Sequence, residues 1–360
     1  MFRFPVTFIV CLAVIVAITF CTATPTAAQP LKYVQTEMEG REYGSLEWGD
    51  FDNDGDLDLL ATGCVSRCVV GDLSLYRNHN GSFVEVPLDI SRHVSSGDAR
   101  WADYDNDGDL DFAVSGATAG QGRRTSLVRN DFGNFVLDTS SDLNGLSNSA
   151  LDWGDYDNDG DLDLLVIGEN DEIDSVLEIY RNTSGVFQLS LSASLGVKDG
   201  TADWVDYNGD GLLDIFVTGI NGQDVRSMLF SHDGLSPNPG FTFVETSIVA
   251  NVRLSSTDWG DYDNDGDLDL ILTGCQGFSF CGDETSYIYH NDNGTLVNLN
   301  ANLRGVSQGS SNWIDYDSDG DLDLLVSGGL ATILYANTNG NFTEVNEGIG
   351  AVLYSASAWA

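Results

Sequence analysis

The chain of 360 residues contains six copies of one segment, and this repetition constrains its fold more than any other feature. Each copy reads as a tryptophan, an aspartate-rich loop, an apolar run and a glycine, as in WGDFDNDGDLDLLATG from Trp48. A period of about 50 residues indicates one supersecondary unit that shares a continuous core with its neighbours. One repeat domain is therefore predicted, although length alone would suggest two domains at roughly 150 residues each. The later copies begin at Trp101, Trp153, Trp204, Trp259 and Trp313.

The first copy predicts four strands. Ser45 to Trp48 precede the aspartate loop, and Leu57 to Thr62 form a short apolar run after it. Two runs that alternate apolar and polar residues follow, Leu73 to Asn78 and Phe83 to Val86, with an Asn-Gly turn between them. Asn-Gly between alternating runs favours a hairpin, because its primed turn needs positive φ at both central residues. No stretch after residue 30 has capped helical periodicity, so each copy predicts a four-stranded antiparallel sheet.

Four-stranded units of this period predict an all-β fold, a β-propeller whose blades close into a ring. The propeller domain is assigned to residues 31–360, with full repeats that start near residues 45, 98, 150, 201, 256 and 310. The segment 33–38 looks like an outer strand without its own blade, and residues 355–360 look like the start of another repeat that stops at its Trp. Two arrangements stay open. The termini form a truncated seventh blade beginning at 355, or the ring has six blades and two spare strands.

The first 28 residues have the pattern of a secretory signal peptide. Arg3 precedes an apolar run that reaches Phe20, and small residues follow it up to a plausible cleavage point after Ala28. An uncleaved anchor is the alternative, but the run is short beside the roughly 20 residues that span a bilayer. The sequence predicts an exported protein, secreted or at the cell surface, with no membrane span after the signal is removed.

Four cysteines remain after the predicted cleavage, and they form two local pairs. Cys64 and Cys68 follow the apolar run of one repeat, and Cys275 and Cys281 take the same place in another. In an exported protein such pairs are typical of disulfides that staple loops. Zinc is the alternative, and it is disfavoured because no histidine lies near either pair.

The charge of the chain is strongly negative and unevenly distributed. Fifteen basic and 56 acidic residues give a formal charge of −41. Nucleic acid is excluded as a partner, because phosphate binding needs clustered Lys and Arg. The six loops contain 28 of the acidic residues, which places the charge where cations can bind.

Each aspartate loop has the spacing of a calcium ligand set. Oxygen donors stand at positions 1, 3, 5 and 9 and glycine at position 6, and calcium takes six to eight oxygen ligands. Position 7 is expected to donate its backbone carbonyl, since the fourth copy has Leu212 there; the same copy has Asn208 at position 3. An EF-hand is rejected, because it needs Glu at position 12. That position holds Ala61, Val114, Val166, Val217, Leu272 and Val326.

The repeats resemble the FG-GAP/VCBS repeats of integrin-α-like β-propellers, whose D-x-D-x-D-G-x-x-D loop joins the first two strands of a blade and binds calcium. The similarity covers about residues 31–360. The chain has Trp-Gly or Trp-Ala in place of Phe-Gly and lacks Gly-Ala-Pro and Arg-Gly-Asp, so it is nearer to bacterial VCBS repeats than to integrin subunits. The resemblance implies about six calcium ions, one per full repeat. Their ligands would be Asp50, Asp52, Asp54, Asp56 and Asp58; Asp103, Asp105, Asp107, Asp109 and Asp111; Asp155, Asp157, Asp159, Asp161 and Asp163; Asp206, Asn208, Asp210, Leu212 and Asp214; Asp261, Asp263, Asp265, Asp267 and Asp269; and Asp315, Asp317, Asp319, Asp321 and Asp323.

No catalytic motif accompanies the loops. His79, His93, His232 and His290 lie in separate segments, and neither a His-Glu-x-x-His motif nor a phosphate loop is present. The sequence predicts a secreted, calcium-binding adhesion or recognition module without catalytic activity, whose partner is an extracellular protein or glycan. The alternatives are a lectin-like propeller and the propeller domain of an extracellular enzyme. A His, Tyr or Arg cluster that breaks the repeat in the central channel would favour the enzyme.

Overall fold

The computed structural model describes residues 43–65, 70–88, 94–118, 122–194, 196–234, 240–244, 249–278, 281–329 and 331–345. These residues form six four-stranded sheets, and none of them lies in a helix. The first three blades contain β1 (Leu46–Gly49), β2 (Asp58–Val65), β3 (Val70–His79) and β4 (Ser82–Val86); β5 (Ala99–Ala102), β6 (Asp111–Thr118), β7 (Gly122–Asp131) and β8 (Asn134–Asp138); and β9 (Ser147–Gly154), β10 (Asp163–Glu169), β11 (Ser175–Thr183) and β12 (Val186–Ala193).

The last three blades follow the same plan. They contain β13 (Ala202–Val205), β14 (Asp214–Asn221), β15 (Asp224–His232) and β16 (Phe241–Val244); β17 (Arg253–Gly260), β18 (Asp269–Cys275), β19 (Glu284–Asp292) and β20 (Thr295–Asn298); and β21 (Ser311–Ile314), β22 (Asp323–Gly328), β23 (Ala331–Thr338) and β24 (Asn341–Val345). Within each blade the strands pair antiparallel in chain order. The first strand of each blade lines a central channel, and the blades form a ring around it. The all-β propeller prediction is confirmed.

Apolar clusters between successive blades form the core. Each of the five larger clusters takes residues from two neighbouring blades. At four blade interfaces the repeat's Trp stacks on the aromatic ring at loop position 2 of the preceding blade, as Trp204 does on Tyr156 with centroids 5.6 Å apart. The Gly of the Trp-Gly dipeptide makes room for the next Trp, since a Cβ at Gly154 would lie 2.8 Å from Trp204 Cδ1. The signature therefore joins adjacent blades as well as closing each one.

A buried asparagine near the end of the third strand also joins neighbouring blades. Asn182 is fully buried, and its Nδ2 donates to the carbonyl of Tyr104 in the preceding blade at 2.7 Å and to Leu162 O at 3.1 Å. Its Oδ1 accepts from the N–H of Gly185 in the hairpin turn at 2.8 Å. The same interblade bond is made by Asn130, Asn291 and Asn337.

A chain of backbone hydrogen bonds runs around one mouth of the channel. It passes through six residues that stand five positions before the repeat's Trp, each with a φ between 47° and 56°. From the second blade onward, the N–H of this residue donates to the carbonyl of the corresponding residue in the preceding blade, over 2.6 to 3.1 Å. We call these residues the mouth ring: Tyr43, Ser96, Asn148, Asp199, Leu254 and Gln308.

Several sequence predictions fall outside the described residues, namely the signal peptide at 1–28, the terminal strands at 33–38 and 355–359, and Cys68. Cys64 is disulfide-bonded, whereas Cys275 and Cys281 are recorded as thiols. Burial, with the neighbouring Cys275, raises the pKa of the Cys281 thiol to about 11. The second disulfide stays a prediction. Within the described ranges, no helix is long and apolar enough to cross a membrane.

Candidate functional site

The six aspartate loops share one backbone conformation, which their sequence explains. Position 4 has a φ of 57° to 62° at Asn53, Asn106, Asn158, Asn264 and Ser318, and of 71° at Gly209. Position 6 is glycine throughout, with φ between 83° and 98°. These left-handed conformations favour Gly and, after it, Asn. The loop therefore folds alike in all six blades.

In the first loop, hydrogen bonds from the loop itself and from the neighbouring hairpin hold the carboxylates in place. At position 1, the two oxygens of Asp50 accept from the N–H groups of Asp54 and Gly55 at 3.0 and 2.9 Å. At position 7, Asp56 accepts from the N–H of Asn80 in the hairpin turn at 2.8 Å. The hairpins and the aspartate loops thus share one face of the propeller. Because the position 7 side chain is engaged by the hairpin, its backbone carbonyl is the group left for a cation, as Leu212 predicts.

Position 9 is a fully buried aspartate at the start of the second strand. In the first blade, Asp58 accepts from the N–H of Phe51 at 3.1 Å and of Asn78 at 2.7 Å. Burial is the largest cause that raises the pKa of this carboxyl to about 7, and it does the same for Asp111 and Asp163. A cation beside these carboxyls would favour their ionised form.

At position 3, four of the loops hold a buried oxygen that has no hydrogen-bond partner among the described residues. These atoms are the Oδ1 atoms of Asp52, Asp105, Asp157 and Asp317. In the first three blades, one carboxylate oxygen each from positions 1, 3 and 9 lies within 4.8 Å of the others. A buried, unpaired carboxylate oxygen is costly without a cation or a donor. These loops could hold a metal ion, and their residues fit one.

The residue before the buried asparagine lies beside position 3. Arg77 Nε contacts Asp52 at 2.7 Å, and Arg181 contacts Asp157 at 2.6 Å. Arg129 differs, because it pairs with Asp131 of its own strand at 2.9 Å. The fifth blade has His290 at this place.

The central channel holds a second cluster of charged residues, around a cavity of about 680 Å³. Its residues stand immediately before the repeat's Trp and differ from blade to blade. Arg100 donates to Glu47 of the first blade and, at 3.2 Å, to Asp98 of its own blade. Its side chain keeps 42% of its surface exposed, so the channel is accessible to water. We call these residues the channel ring: Glu47, Arg100, Asp152, Asp203, Asp258 and Asn312.

The acidic residues of the channel join the first strand of one blade to that of the next. Asp152 accepts from the N–H of Trp204 at 2.7 Å, and Asp258 accepts from that of Trp313 at 2.7 Å. Asp203 accepts from the Thr257 hydroxyl at 2.7 Å. Burial is the main cause that raises the pKa of Asp152 to about 7 and of Asp203 and Asp258 to about 6.

These pKa values predict that Asp152→Asn stabilises the protein relative to wild type by more at pH 8 than at pH 5. The folded pKa of Asp152 is raised above its ordinary value, so the native state binds more protons than the unfolded chain between about pH 4 and 7. Its contribution to stability is therefore lost as pH rises through about 7, whereas Asn, which keeps the acceptor for Trp204, does not titrate. Urea unfolding of both proteins at pH 5, 6.5 and 8 in saturating calcium measures the difference. A difference that is constant with pH contradicts this.

The FG-GAP-like repeat profile matches residues 50–114, 155–217 and 206–272, which together span just over half of the chain. The chain belongs to the FG-GAP-like repeat family. No curated protein matches it significantly in sequence.

Solved structures share the fold of this FG-GAP-like propeller. A lectin from Agrocybe aegerita, specific for non-reducing terminal N-acetylglucosamine, is 19% identical with a TM-score of 0.56, over 85% of this chain and 79% of the lectin. The structure of YjhT is 11% identical with a TM-score of 0.52, over 86% of this chain and 99% of its own. At these identities the likeness concerns the fold alone.

On the face opposite the FG-GAP loops, three basic residues are paired with carboxylates. Arg123 and Lys198 both contact the buried carboxylate of Glu169, and Arg226 pairs with Asp224 at 2.7 Å. These basic residues serve contacts within the propeller.

Sequence reasoning missed the channel ring, the mouth ring and the buried asparagines as functional or structural sets. The signal for the channel ring is present, because the residue before each Trp is polar in all six copies. This signal is easily missed because the residues differ in charge from copy to copy, whereas a repeat is recognised by the residues that its copies share.

Proposed function

We propose that this protein is an exported, calcium-loaded β-propeller that acts as a non-catalytic recognition module. One observation carries the calcium assignment: the buried, unpaired Oδ1 atoms at position 3 lie beside carboxylates that hydrogen bonds already hold in place. Carboxylate and carbonyl oxygens are the ligands that calcium prefers. Positions 1, 3, 5 and 9 would bind through side chains and position 7 through its carbonyl.

The mouth ring supports recognition on the face opposite the metal loops. Its six backbones are alike, whereas its side chains range from Tyr43 and Leu254 to Asp199, around a cavity of about 200 Å³. Variable side chains on a fixed frame are typical of binding surfaces. The metal loops lie at the opposite ends of the blades from the mouth ring. Calcium therefore affects recognition indirectly, by keeping the ring of blades rigid. An extracellular protein or glycan is the partner class that suits an exported protein.

A non-catalytic role ranks above an enzymatic one because the channel carboxylates already have structural partners. Asp98 accepts from Leu151 N–H at 3.2 Å, and Asp152 and Asp258 accept from backbone N–H groups of the next blade. Arg100 nevertheless breaks the repeat, and this observation favours an extracellular hydrolase or lyase as the second candidate. Product analysis on a panel of polysaccharides separates the two: turnover that Asp152→Asn abolishes would establish the enzyme.

The mouth is expected to bind the partner, and two variants of one kind test this. Tyr43→Asn and Leu254→Asn each remove an apolar side chain at a positive φ that Asn tolerates, and we expect either to weaken binding at least tenfold. Phe132→Asn makes the same change in a hairpin of the metal-loop face, where Phe132 is 92% exposed, and should leave binding unchanged.

The measurement is a pull-down from extracellular fractions and a glycan array on the full chain, with and without EDTA. Glycans with terminal N-acetylglucosamine belong on the array, because the lectin of similar fold recognises them. Specific glycan binding would support the lectin form of the proposal. Binding that survives both EDTA and the two mouth variants would defeat the recognition proposal.

A further inference from the structure

We propose that the loop of the fifth blade is a mixed nitrogen and oxygen site that takes zinc in place of calcium. The inference rests on the proposed metal-binding role of the loops and assigns a different ion to one of them. Its donor set is His290, Asp263 and Asp269, whose candidate ligand atoms all lie within 4.8 Å of one another.

The imidazole of His290 is aimed at the loop. Its Nδ1 lies 3.3 Å from Asp263 Oδ2 at position 3 and 3.3 Å from Asp269 Oδ1 at position 9. The ring also packs edge-on against Tyr262, with centroids 6.3 Å apart, which helps to fix its orientation. Asp269 is fully buried, and its oxygens are fixed by the N–H groups of Asn291 and Tyr262. The donors are therefore held before any ion arrives.

The Nδ1 atom is buried and has no hydrogen-bond partner among the described residues. In the first, second, third and sixth blades the corresponding orphaned atom is a carboxylate oxygen of position 3. In the fifth blade it is a nitrogen. Three donor atoms placed so close together need a positive charge between them, which either a proton on the imidazole or a metal ion would supply. The cluster thus suits a cation, and metal analysis separates the proton from the metal ion.

The spacing suits donors that share one ion. Zinc binds nitrogen at about 2.0–2.1 Å and carboxylate oxygen at about 2.0–2.2 Å, so two donors of a tetrahedral site lie about 3.4 Å apart. The observed separations are 3.3 Å. Calcium could span a similar distance, but it takes oxygen ligands, whereas imidazole favours zinc and other transition metals. The type of donor atom, rather than the distance, therefore favours zinc over calcium.

The other blades provide the comparison. The place of His290 is taken by Arg77, Arg129 and Arg181 in the first three blades, by Ser231 in the fourth and by Ala336 in the sixth. Arginine stays charged and cannot ligate a metal. His79 follows the buried asparagine of the first blade, is 75% exposed and lies 4.0 Å from Asp54 Oδ2. It also lies in a cluster with Asp54 and Asp56, but this cluster is exposed and contains no position 9 carboxylate, so His79→Ala serves as the control for His290.

Metal analysis of the full, untagged chain tests the proposal. The protein is dialysed against millimolar calcium with micromolar buffered zinc, and bound zinc and calcium are measured by mass spectrometry. We expect one zinc per chain for wild type and His79→Ala, and none for His290→Arg, which installs the residue of three other blades. Arg181→His should gain a second zinc, because it places an imidazole beside Asp157.

Zinc-induced shifts of the ring nitrogens of ¹⁵N-histidine, assigned by the loss of one signal in His290→Arg, identify the ligand directly. Wild type without zinc, or His290→Arg that retains it, would overturn the zinc inference. Calcium in the same samples keeps the two proposals apart. Calcium bound with no zinc leaves the calcium proposal standing, and no bound calcium in any loop defeats that proposal by itself.

Discussion

Removal of calcium is expected to lower the Tm of this protein by more than about 10 °C. An ion that binds only the native state stabilises it by about 2.7 kcal/mol per site when its free concentration is 100 times the dissociation constant. With an unfolding entropy of about 2.1 cal/mol/K per residue, each kcal/mol corresponds to roughly 1.5 °C in Tm for a domain of this size. Several loops filled at that excess therefore give a shift of this order. The physical source is the repulsion among the carboxylates of each loop, which buried oxygens such as Asp52 Oδ1 cannot relieve through hydrogen bonds.

Differential scanning calorimetry with excess calcium, and then with excess EDTA, measures this shift. The variant Asp105→Asn removes one charge at position 3 of the second loop and keeps an oxygen donor, as Asn208 does in the fourth. It should reduce the calcium-dependent part of the stability by a fraction only. As a matched control, Asp171→Asn removes an exposed carboxylate outside the loops and should leave the calcium-dependent part unchanged. Equal melting curves in calcium and EDTA would refute structural calcium.

Asn182→Ala is expected to lower the free energy of unfolding by about 3 kcal/mol, because it leaves buried backbone groups without partners. The Asn182 side chain donates to the carbonyls of Tyr104 and Leu162 and accepts from Gly185 N–H. One of these bonds joins two blades, so its loss weakens an interface as well as a turn. Asn182→Asp, which has the same shape but cannot donate to the carbonyls, should cost at least as much.

Urea unfolding in saturating calcium measures both variants. Asn134→Ala is the matched control, because Asn134 is exposed and bonds only to a nearby carbonyl in its own hairpin, at 3.3 Å. It should change stability by less than about 0.5 kcal/mol. An Asn182→Ala protein as stable as the control would show that the interblade bond contributes nothing. The fourth blade has His232 in place of the buried asparagine. The Nε2 of this histidine has no hydrogen-bond partner among the described residues, so His232 replaces the asparagine only in part.

The sequon at Asn182 shows how local pattern and tertiary structure diverge. Its sequence, Asn-Thr-Ser, fits a glycosylation acceptor, and asparagine is also common in turns. In the structure the side chain is fully buried and engaged by three backbone groups. Turn chemistry therefore explains only the bond to Gly185. The two carbonyl bonds require the preceding blade, which no local pattern displays.

The Arg series makes the same point for charge. Three blades have arginine immediately before the buried asparagine, and Arg77 and Arg181 pair with the aspartate loops. Arg129 instead pairs with Asp131, which lies two residues away in the same strand and competes with the aspartate loop for the guanidinium group. Identical repeat positions thus need not have identical contacts when a neighbouring residue changes.

The sequence by itself determined the blade, the number of full copies and the loops that could hold metal. These depend on short-range chemistry: alternation, positive-φ turns and closely spaced carboxylates, all of which repeat within about 50 residues. Only the tertiary structure decided which contacts join one copy to the next. The channel ring, the mouth ring and the orphaned Nδ1 of His290 each depend on how neighbouring strands or blades pack together. Such contacts join residues that a linear pattern separates, so they became visible only when the ring was assembled.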